Sequence, residues 1–301
     1  MSAFAAGVDG GGTKTTVVCC FEDGRSESRT FGPFNLNGIG EDSFRKMLLE
    51  IRNYLESLGE CRALCFGASG VDNSLMSVLV NEVFSESEVT IKLLSDYEIA
   101  HSGALDAKEG IIVVSGTGSV CFGKNGRGES ARSGGWGHII GDRGSGYGLG
   151  HDALVAVTDF LDGKGEKTAL SDMISKEVGL FDQSTIISYV YQHDKSAVAA
   201  LAPIVEKACS KGDDTAASIV DDNAGALVRD VAAVAKRLGL ESSKVAFLGG
   251  LLENDTCFRK SFVRQLRKQL PNLVIVEKAH SASEGAAMIA MAMAGFEYGK
   301  K

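Results

Sequence analysis

Proline is scarce in this 301-residue chain, with three residues, and tryptophan scarcer, with one. So little proline argues against a disordered or Pro-rich chain. No run of about 18 apolar residues occurs, so nothing supports a membrane span. Met1-Ser2-Ala3-Phe4 lacks the basic stretch and apolar core of an export signal. Positive charge is in deficit: 31 Lys and Arg against 39 Asp and Glu give a net charge of −8, which argues against a general nucleic-acid or membrane-binding surface. The seven cysteines (19, 20, 61, 65, 121, 209, 257) are odd in number, form no C-x-x-C and mostly sit in apolar runs. Buried thiols in a reducing cytoplasm are the expectation.

Glycine, by contrast, is abundant at 37 residues in a composition otherwise ordinary for a globular protein, 44 % hydrophobic and 23 % charged. The length allows one large or two medium domains. The chain opens on Gly7-Val8-Asp9-Gly10-Gly11-Gly12-Thr13-Lys14-Thr15-Thr16, an acidic residue and a glycine run between two apolar segments. Glycine lets backbone N–H groups approach an anion with no Cβ in the way, so Gly11 and Gly12 suit a turn that cradles phosphate oxygens. Asp9 repels phosphate but suits a Mg²⁺ held through water, while Thr13 and Lys14 offer a hydroxyl and a positive charge. The Walker spacing G-x-x-x-x-G-K-[ST] is absent, and the β-branched run after the turn reads as a strand, which excludes a dinucleotide fingerprint. A glycine-rich hairpin with no ligand is the competing reading.

Runs 3–9, 15–21 and 26–32 read as a β meander, with Asp23-Gly24 as a hairpin signal. Residues 32–38 read as a loop. Phe44, Met47, Leu48, Ile51, Leu55 and Leu58 then recur at helical spacing. A buried strand over 62–66 ends in Gly67-Ala68-Ser69-Gly70, a helix follows over 73–84, and a strand over 89–94 leads to Asp96, at the strand edge where ligands collect in α/β sheets. Ile111–Val114, the small-residue turn Ser115-Gly116-Thr117-Gly118-Ser119 and Val120–Gly123 repeat the opening hairpin and point to a diverged duplication. Seven glycines lie across 134–148, and the lone Trp136 sits among them. A helix is expected from Leu149, mostly helical structure up to 240, and a late strand 244–248 ending in Gly249-Gly250, a place for a nucleoside to lie against backbone.

Four of these segments, Asp9-Gly10-Gly11-Gly12-Thr13-Lys14-Thr15, Ser115-Gly116-Thr117-Gly118-Ser119, Gly134-Gly135-Trp136-Gly137-His138 with Gly141-Asp142, and Leu248-Gly249-Gly250, together resemble the motifs of N-acetylglucosamine kinases of the BadF/BadG/BcrA/BcrD group, within the actin-like, hexokinase-like ATPase superfamily. The resemblance runs over nearly the whole chain. It implies an α/β fold of two ribonuclease-H-like lobes around a central cleft, divided as 1–112 and 113–301, the second with a helical insertion and the terminal helix a candidate to return to the first lobe. It implies ATP and Mg²⁺, with Gly11, Gly12, Thr13, Lys14, Gly116, Thr117 and Gly118 at the phosphates, Asp9 at the metal, and Gly249 and Gly250 at the adenosine. It places Asn35, Ser69, Asp96, Gly135, Trp136 and Asp142 on the sugar and makes Asp96 the catalytic base. Asn35 is chosen over Asn37 by the Gly-Pro-x-Asn pattern.

The implied activity is phosphorylation of an amino sugar at its 6-hydroxyl, N-acetylglucosamine first and N-acetylmuramic acid beside it, in the cytoplasm, with a homodimer by family likeness. Glucosamine kinase, or an ATPase that activates an iron–sulfur dehydratase, is the alternative. Arg143 departs from the acid usual after Gly-Asp in these kinases. Blander roles stand beside each assignment: a helix N-cap for Asp96, core filling for Trp136 and a surface ion pair with Arg143 for Asp142. His138 reads as a structural partner.

Overall fold

The computed structural model describes residues 2–71 and 74–296, apart from the side chain of Asn37. In chain order the first elements are β1 (Phe4–Gly10), β2 (Thr15–Phe21), β3 (Ser26–Phe31), α1 (Leu36–Ile39), α2 (Glu41–Leu58), β4 (Cys61–Ala68), α3 (Ser74–Val83), β5 (Thr90–Leu94) and α4 (Asp96–Ala104). They continue as β6 (Gly110–Ser115), β7 (Ser119–Lys124), β8 (Ser130–Gly134), α5 (Gly146–Leu161), α6 (Ala169–Val178), α7 (Gln183–Gln192), α8 (Lys195–Ala199), α9 (Ala202–Ser210) and α10 (Asp214–Leu238). Last come β9 (Lys244–Leu248), α11 (Gly250–Glu253), α12 (Cys257–Gln269), β10 (Val274–Val276) and α13 (Ala282–Ala294). The chain divides into one unit of Met1–Lys108 with Glu277–Lys301 and another of Glu109–Val276. The division precedes the 112/113 boundary of the sequence reading because β6 already begins at Gly110, and α13 belongs to the first unit.

In the first unit the sheet order is β3-β2-β1-β4-β5, antiparallel through β1–β3 and parallel through β1, β4 and β5. Side chains on a strand alternate between faces. Phe4, Ala6 and Val8 accordingly join a core with Phe44, Leu48 and Ile51 of α2, while Ala5 joins one with Ile99 of α4 and Ala286, Ala287 and Ala290 of α13. The second face is built of small residues because its helices lie very close. A Cβ at Gly7 of β1 would stand 2.0 Å from the Ala287 nitrogen, and one at Gly285 would stand 2.1 Å from the Ile99 oxygen and 2.3 Å from the Gly103 nitrogen. Gly285→Ala therefore gains up to about 1 kcal/mol of helix propensity but overpacks a backbone contact, at a cost of about 3 kcal/mol. The clash wins, and a thermal melt should show Tm lower by roughly 4–8 °C.

The second unit repeats the pattern as β10-β9-β6-β7-β8, antiparallel through β6–β8 and parallel through β6, β9 and β10. Both sheets have the ribonuclease-H-like order, so the repeated hairpins belong to repeated topologies. Ile111, Val113 and Cys121 of this sheet pack with Leu227, Val231 and Val234 of α10.

Local differences from the sequence reading have local causes. The 32–38 loop contains α1, because the Asn35 side chain accepts from the Gly38 N–H and caps a single turn. The helix expected over 73–84 is α3, with Asp72 and Asn73 outside the described residues. The glycine-rich stretch yields β8, paired to β7, and α5 starts at Gly146 rather than Leu149 because Ser145 caps it by accepting from the Gly148 N–H. All seven cysteines are free; Cys19, Cys20, Cys65 and Cys121 are buried and the other three half-buried. Among the described residues no helix is long and apolar enough to cross a membrane.

Candidate active site

In the first unit the C-terminal ends of parallel strands gather the candidate residues. Asp9 is the penultimate residue of β1, Ser69 follows β4, and Asp96 lies two residues past β5. β1 and β2 close their ladder at Gly10 and Thr15, leaving Gly11–Lys14 as a turn held by the Gly11 N–H donating to the Lys14 carbonyl at 3.0 Å. Gly12, Thr13 and Lys14 are exposed, so the turn offers backbone N–H groups and a hydroxyl to solvent. The Phe34 N–H donates to the Gly11 carbonyl at 2.9 Å and ties the Asn35 segment to that turn. The Asn35 Oδ1 accepts one hydrogen bond in its cap, which leaves its NH₂ and a second lone pair able to meet a ligand. Ser69 is exposed.

The N-cap of α4 is Ser95, whose N–H donates to Glu98 Oε2 at 2.9 Å. The N-cap role considered for Asp96 therefore belongs to its neighbour. Asp96 is exposed in the first turn, its Oδ1 accepting from the Tyr97 N–H at 2.8 Å. A helix N-terminus favours an anionic carboxylate there. Burial first, and the Asp96 charge second, raise the Asp9 carboxyl above its ordinary range, with Lys14 opposing them. An Asp9 carboxylate disfavoured by burial and by the Asp96 charge is one that Mg²⁺ would relieve, a hard cation that keeps several waters and takes few protein ligands.

In the second unit β6 and β7 close at Ser115 and Ser119, leaving the turn Gly116-Thr117-Gly118 with Thr117 exposed. The N-terminus of α5 clasps it: the Gly146 N–H donates to the Gly116 carbonyl at 2.7 Å and the Tyr147 N–H to the Thr117 carbonyl at 3.1 Å. Gly249, at φ +91°, approaches the same turn so closely that a Cβ would lie 2.3 Å from the Ser115 oxygen. Only glycine fits there. Gly116, Thr117, Gly146, Pro203, Glu206 and Gly250 line one cavity of about 540 Å³, within the range of small-molecule sites. The two motifs read as phosphate and adenosine contacts thus share a pocket.

Asp142 is 5 % exposed, at φ +59°, and its Oδ1 accepts from the Ser119 N–H at 3.2 Å. The surface pair with Arg143 does not form: Asp142 faces Lys195 at 3.7 Å, and Arg143 faces Asp152 at 3.7 Å. Asp142 Oδ2 is buried without a hydrogen bond among the described residues. Trp136 does not fill the core, being 67 % exposed with the Arg132 guanidinium 4.9 Å from its ring, and Gly135 donates its N–H to the Ser119 carbonyl at 3.0 Å. His138 packs edge-on against Tyr147, 5.1 Å between ring centroids.

Sequence reading missed the residues that brace this turn. Ser115 Oγ donates to the Gly144 carbonyl, Ser119 Oγ to the Arg143 carbonyl and Ser145 Oγ to the Asp142 carbonyl, while the fully buried Asn223 accepts from the Gly144 N–H at 2.9 Å and donates to Asp152 at 2.8 Å. Asn223 lies mid-helix in α10, and its isolated amide in an apolar helical stripe was the one signal available. Lys195, on a short helix far along the chain, gave none.

Residues 6–290 match the BadF/BadG/BcrA/BcrD ATPase family. A protein of Clostridium acetobutylicum named N-acetylmuramic acid/N-acetylglucosamine kinase is 35 % identical over 95 % of this chain and 98 % of its own length. N-acetyl-D-glucosamine kinase of Dictyostelium discoideum is 30 % identical over 95 % of this chain and 97 % of its own. A solved structure from Chromobacterium violaceum, described as a candidate N-acetylglucosamine kinase, superposes with a TM-score of 0.75 at 25 % identity, covering 95 % of this chain and 98 % of that one. With the match spanning both units and every glycine turn described above, the chain belongs to the BadF/BadG/BcrA/BcrD ATPase family.

Proposed function

We propose that the chain is an ATP-dependent amino-sugar kinase that phosphorylates the 6-hydroxyl of N-acetylglucosamine, and of N-acetylmuramic acid. The observation that carries this reading is near full-length similarity to two relatives named for those activities. The geometry supports it through the two open glycine turns and the carboxylates of Asp9 and Asp96 at the C-terminal ends of β1 and β5.

Phosphoryl transfer asks the protein for alignment, charge neutralisation and a proton acceptor. On this reading Asn35, Ser69, Gly135, Trp136 and Asp142 position the sugar, and the exposed Asp96 carboxylate takes the proton of its 6-hydroxyl. The hydroxyl oxygen forms a bond to the γ-phosphorus as the bond to the β,γ-bridging oxygen breaks, and ADP leaves. Gly12, Thr13 and Lys14 in the first unit, and Thr117 and Gly118 in the second, donate to phosphate oxygens, while Gly11 and Gly116, whose N–H groups donate to the Lys14 and Gly118 carbonyls, hold the two turns close to them, with Gly249 and Gly250 against the nucleoside. Mg²⁺ held through water at Asp9 would neutralise charge on the β- and γ-phosphates.

Mg²⁺-dependent ADP release should rise at least tenfold over the sugar-free rate with an N-acetylated amino sugar, and less with glucosamine or glucose. Preference for glucosamine would reassign the substrate. Sugar-independent ADP release alone would remove the kinase reading.

A further inference from the structure

A larger cavity of the second unit, about 710 Å³, shares no lining residue with the pocket that holds Gly116 and Thr117. Its lining includes Gly141 and Arg143, on either side of Asp142, and the side chains of Lys195, His138, His151 and His193. The charges in this cavity are unequally committed. Asp152 accepts from Asn223 at 2.8 Å and pairs with His151 at 3.0 Å, and Asp194 caps α8 by accepting from the Ser196 N–H at 2.9 Å. The cations are not so engaged. Arg143 and Lys195 reach their carboxylates only at 3.7 Å and make no side-chain hydrogen bond among the described residues. A carboxylate entering the cavity can offer them charge-assisted hydrogen bonds near 2.8 Å, about twice as strong as neutral ones. Arg143 also supplies a planar fork that matches a carboxylate in two bonds.

Ile139, Ile140 and Val198 on the same lining add apolar surface, the first two 86 % and 79 % exposed. The cavity thus suits a carboxylate on a short alkyl stem. The O-lactyl substituent of N-acetylmuramic acid, one methyl and one carboxylate on a sugar, has that chemistry.

Resting on the proposed kinase reading, we infer that this cavity is an anion subsite of the sugar site, taking a carboxylate carried by the sugar, with Arg143 as its principal donor and Lys195 as its second. Nucleotide phosphate is the other anion at hand, but the turn read as binding it lines the other cavity.

The test measures kcat and KM for N-acetylglucosamine, N-acetylmuramic acid and ATP on the full chain and on Arg143→Gln, Arg143→Lys and Lys195→Gln. Wild type should turn over N-acetylmuramic acid. Arg143→Gln should lower the ratio of kcat/KM for N-acetylmuramic acid to that for N-acetylglucosamine by about tenfold or more, mainly through KM. Arg143→Lys should recover part of that ratio and Lys195→Gln should lower it less. A merely structural role would lower both sugars together and leave the ratio unchanged, which overturns the inference. So does wild-type turnover of N-acetylglucosamine without N-acetylmuramic acid, although the kinase reading then stands. A rise confined to the KM for ATP would assign the cavity to nucleotide phosphate instead. Turnover of neither sugar removes the kinase reading and this inference with it.

Discussion

Asp96→Asn is expected to lower kcat by about 10² or more, the usual contribution of a positioned general base, while ATP binding measured by calorimetry stays within a few-fold. The amide keeps the size of the side chain and an oxygen for the Tyr97 N–H, the bond made now at 2.8 Å. It has no free carboxylate to accept a proton. The helix start does not depend on the substituted group, because Ser95 and Glu98 cap α4. A fall in Tm with equal loss of kcat would mean a structural role, and near-normal turnover would remove Asp96 from the mechanism.

Asp9→Asn should separate function from stability. Turnover with Mg-ATP is expected to fall by about 10² or more, since one electrostatic group aimed at the transferring phosphate is commonly worth that much. In metal chelator at pH 7, the same variant should melt about 1–3 °C higher than wild type. The sign follows from the raised Asp9 carboxyl, for which burial is the largest cause and the Asp96 charge the next. A carboxyl whose folded pKa lies above its unfolded value, near 3.8, is most stabilising below that value; the contribution is lost as pH rises through the folded one. Metal-free wild type should therefore lose part of its stability over that window, and Asp9→Asn should not. Parallel Tm profiles from pH 4 to 7 would show that Asp9 is not strained by burial and its neighbour.

The same two aspartates show how far the sequence reaches. Asp9 was readable as special because an acid at the end of an apolar run, followed by three glycines, has few ordinary uses. Asp96 was readable as a residue past a strand, yet its helix role was ambiguous between cap and first turn. That ambiguity closes only when the Glu98 side chain is seen reaching back to Ser95. Trp136 was open between core filling and contact with a sugar, and its 67 % exposure removes the first.

By itself the sequence determined the two β hairpins, the helical stripe Phe44–Leu55, the open glycine turns and the family likeness, because period, turn chemistry and motif spacing are local. Tertiary structure alone decided what those pieces meet. It set α13 against β1 and α4, a contact between backbones that no side-chain pattern announces. It buried Asp142 beneath the Ser119 turn through Ser115, Ser119, Ser145 and Asn223, hydrogen bonds whose partners stand up to 79 residues apart. It also placed Lys195 and Arg143 in one cavity, an arrangement set by how α8 packs on α5 and by no property of either residue.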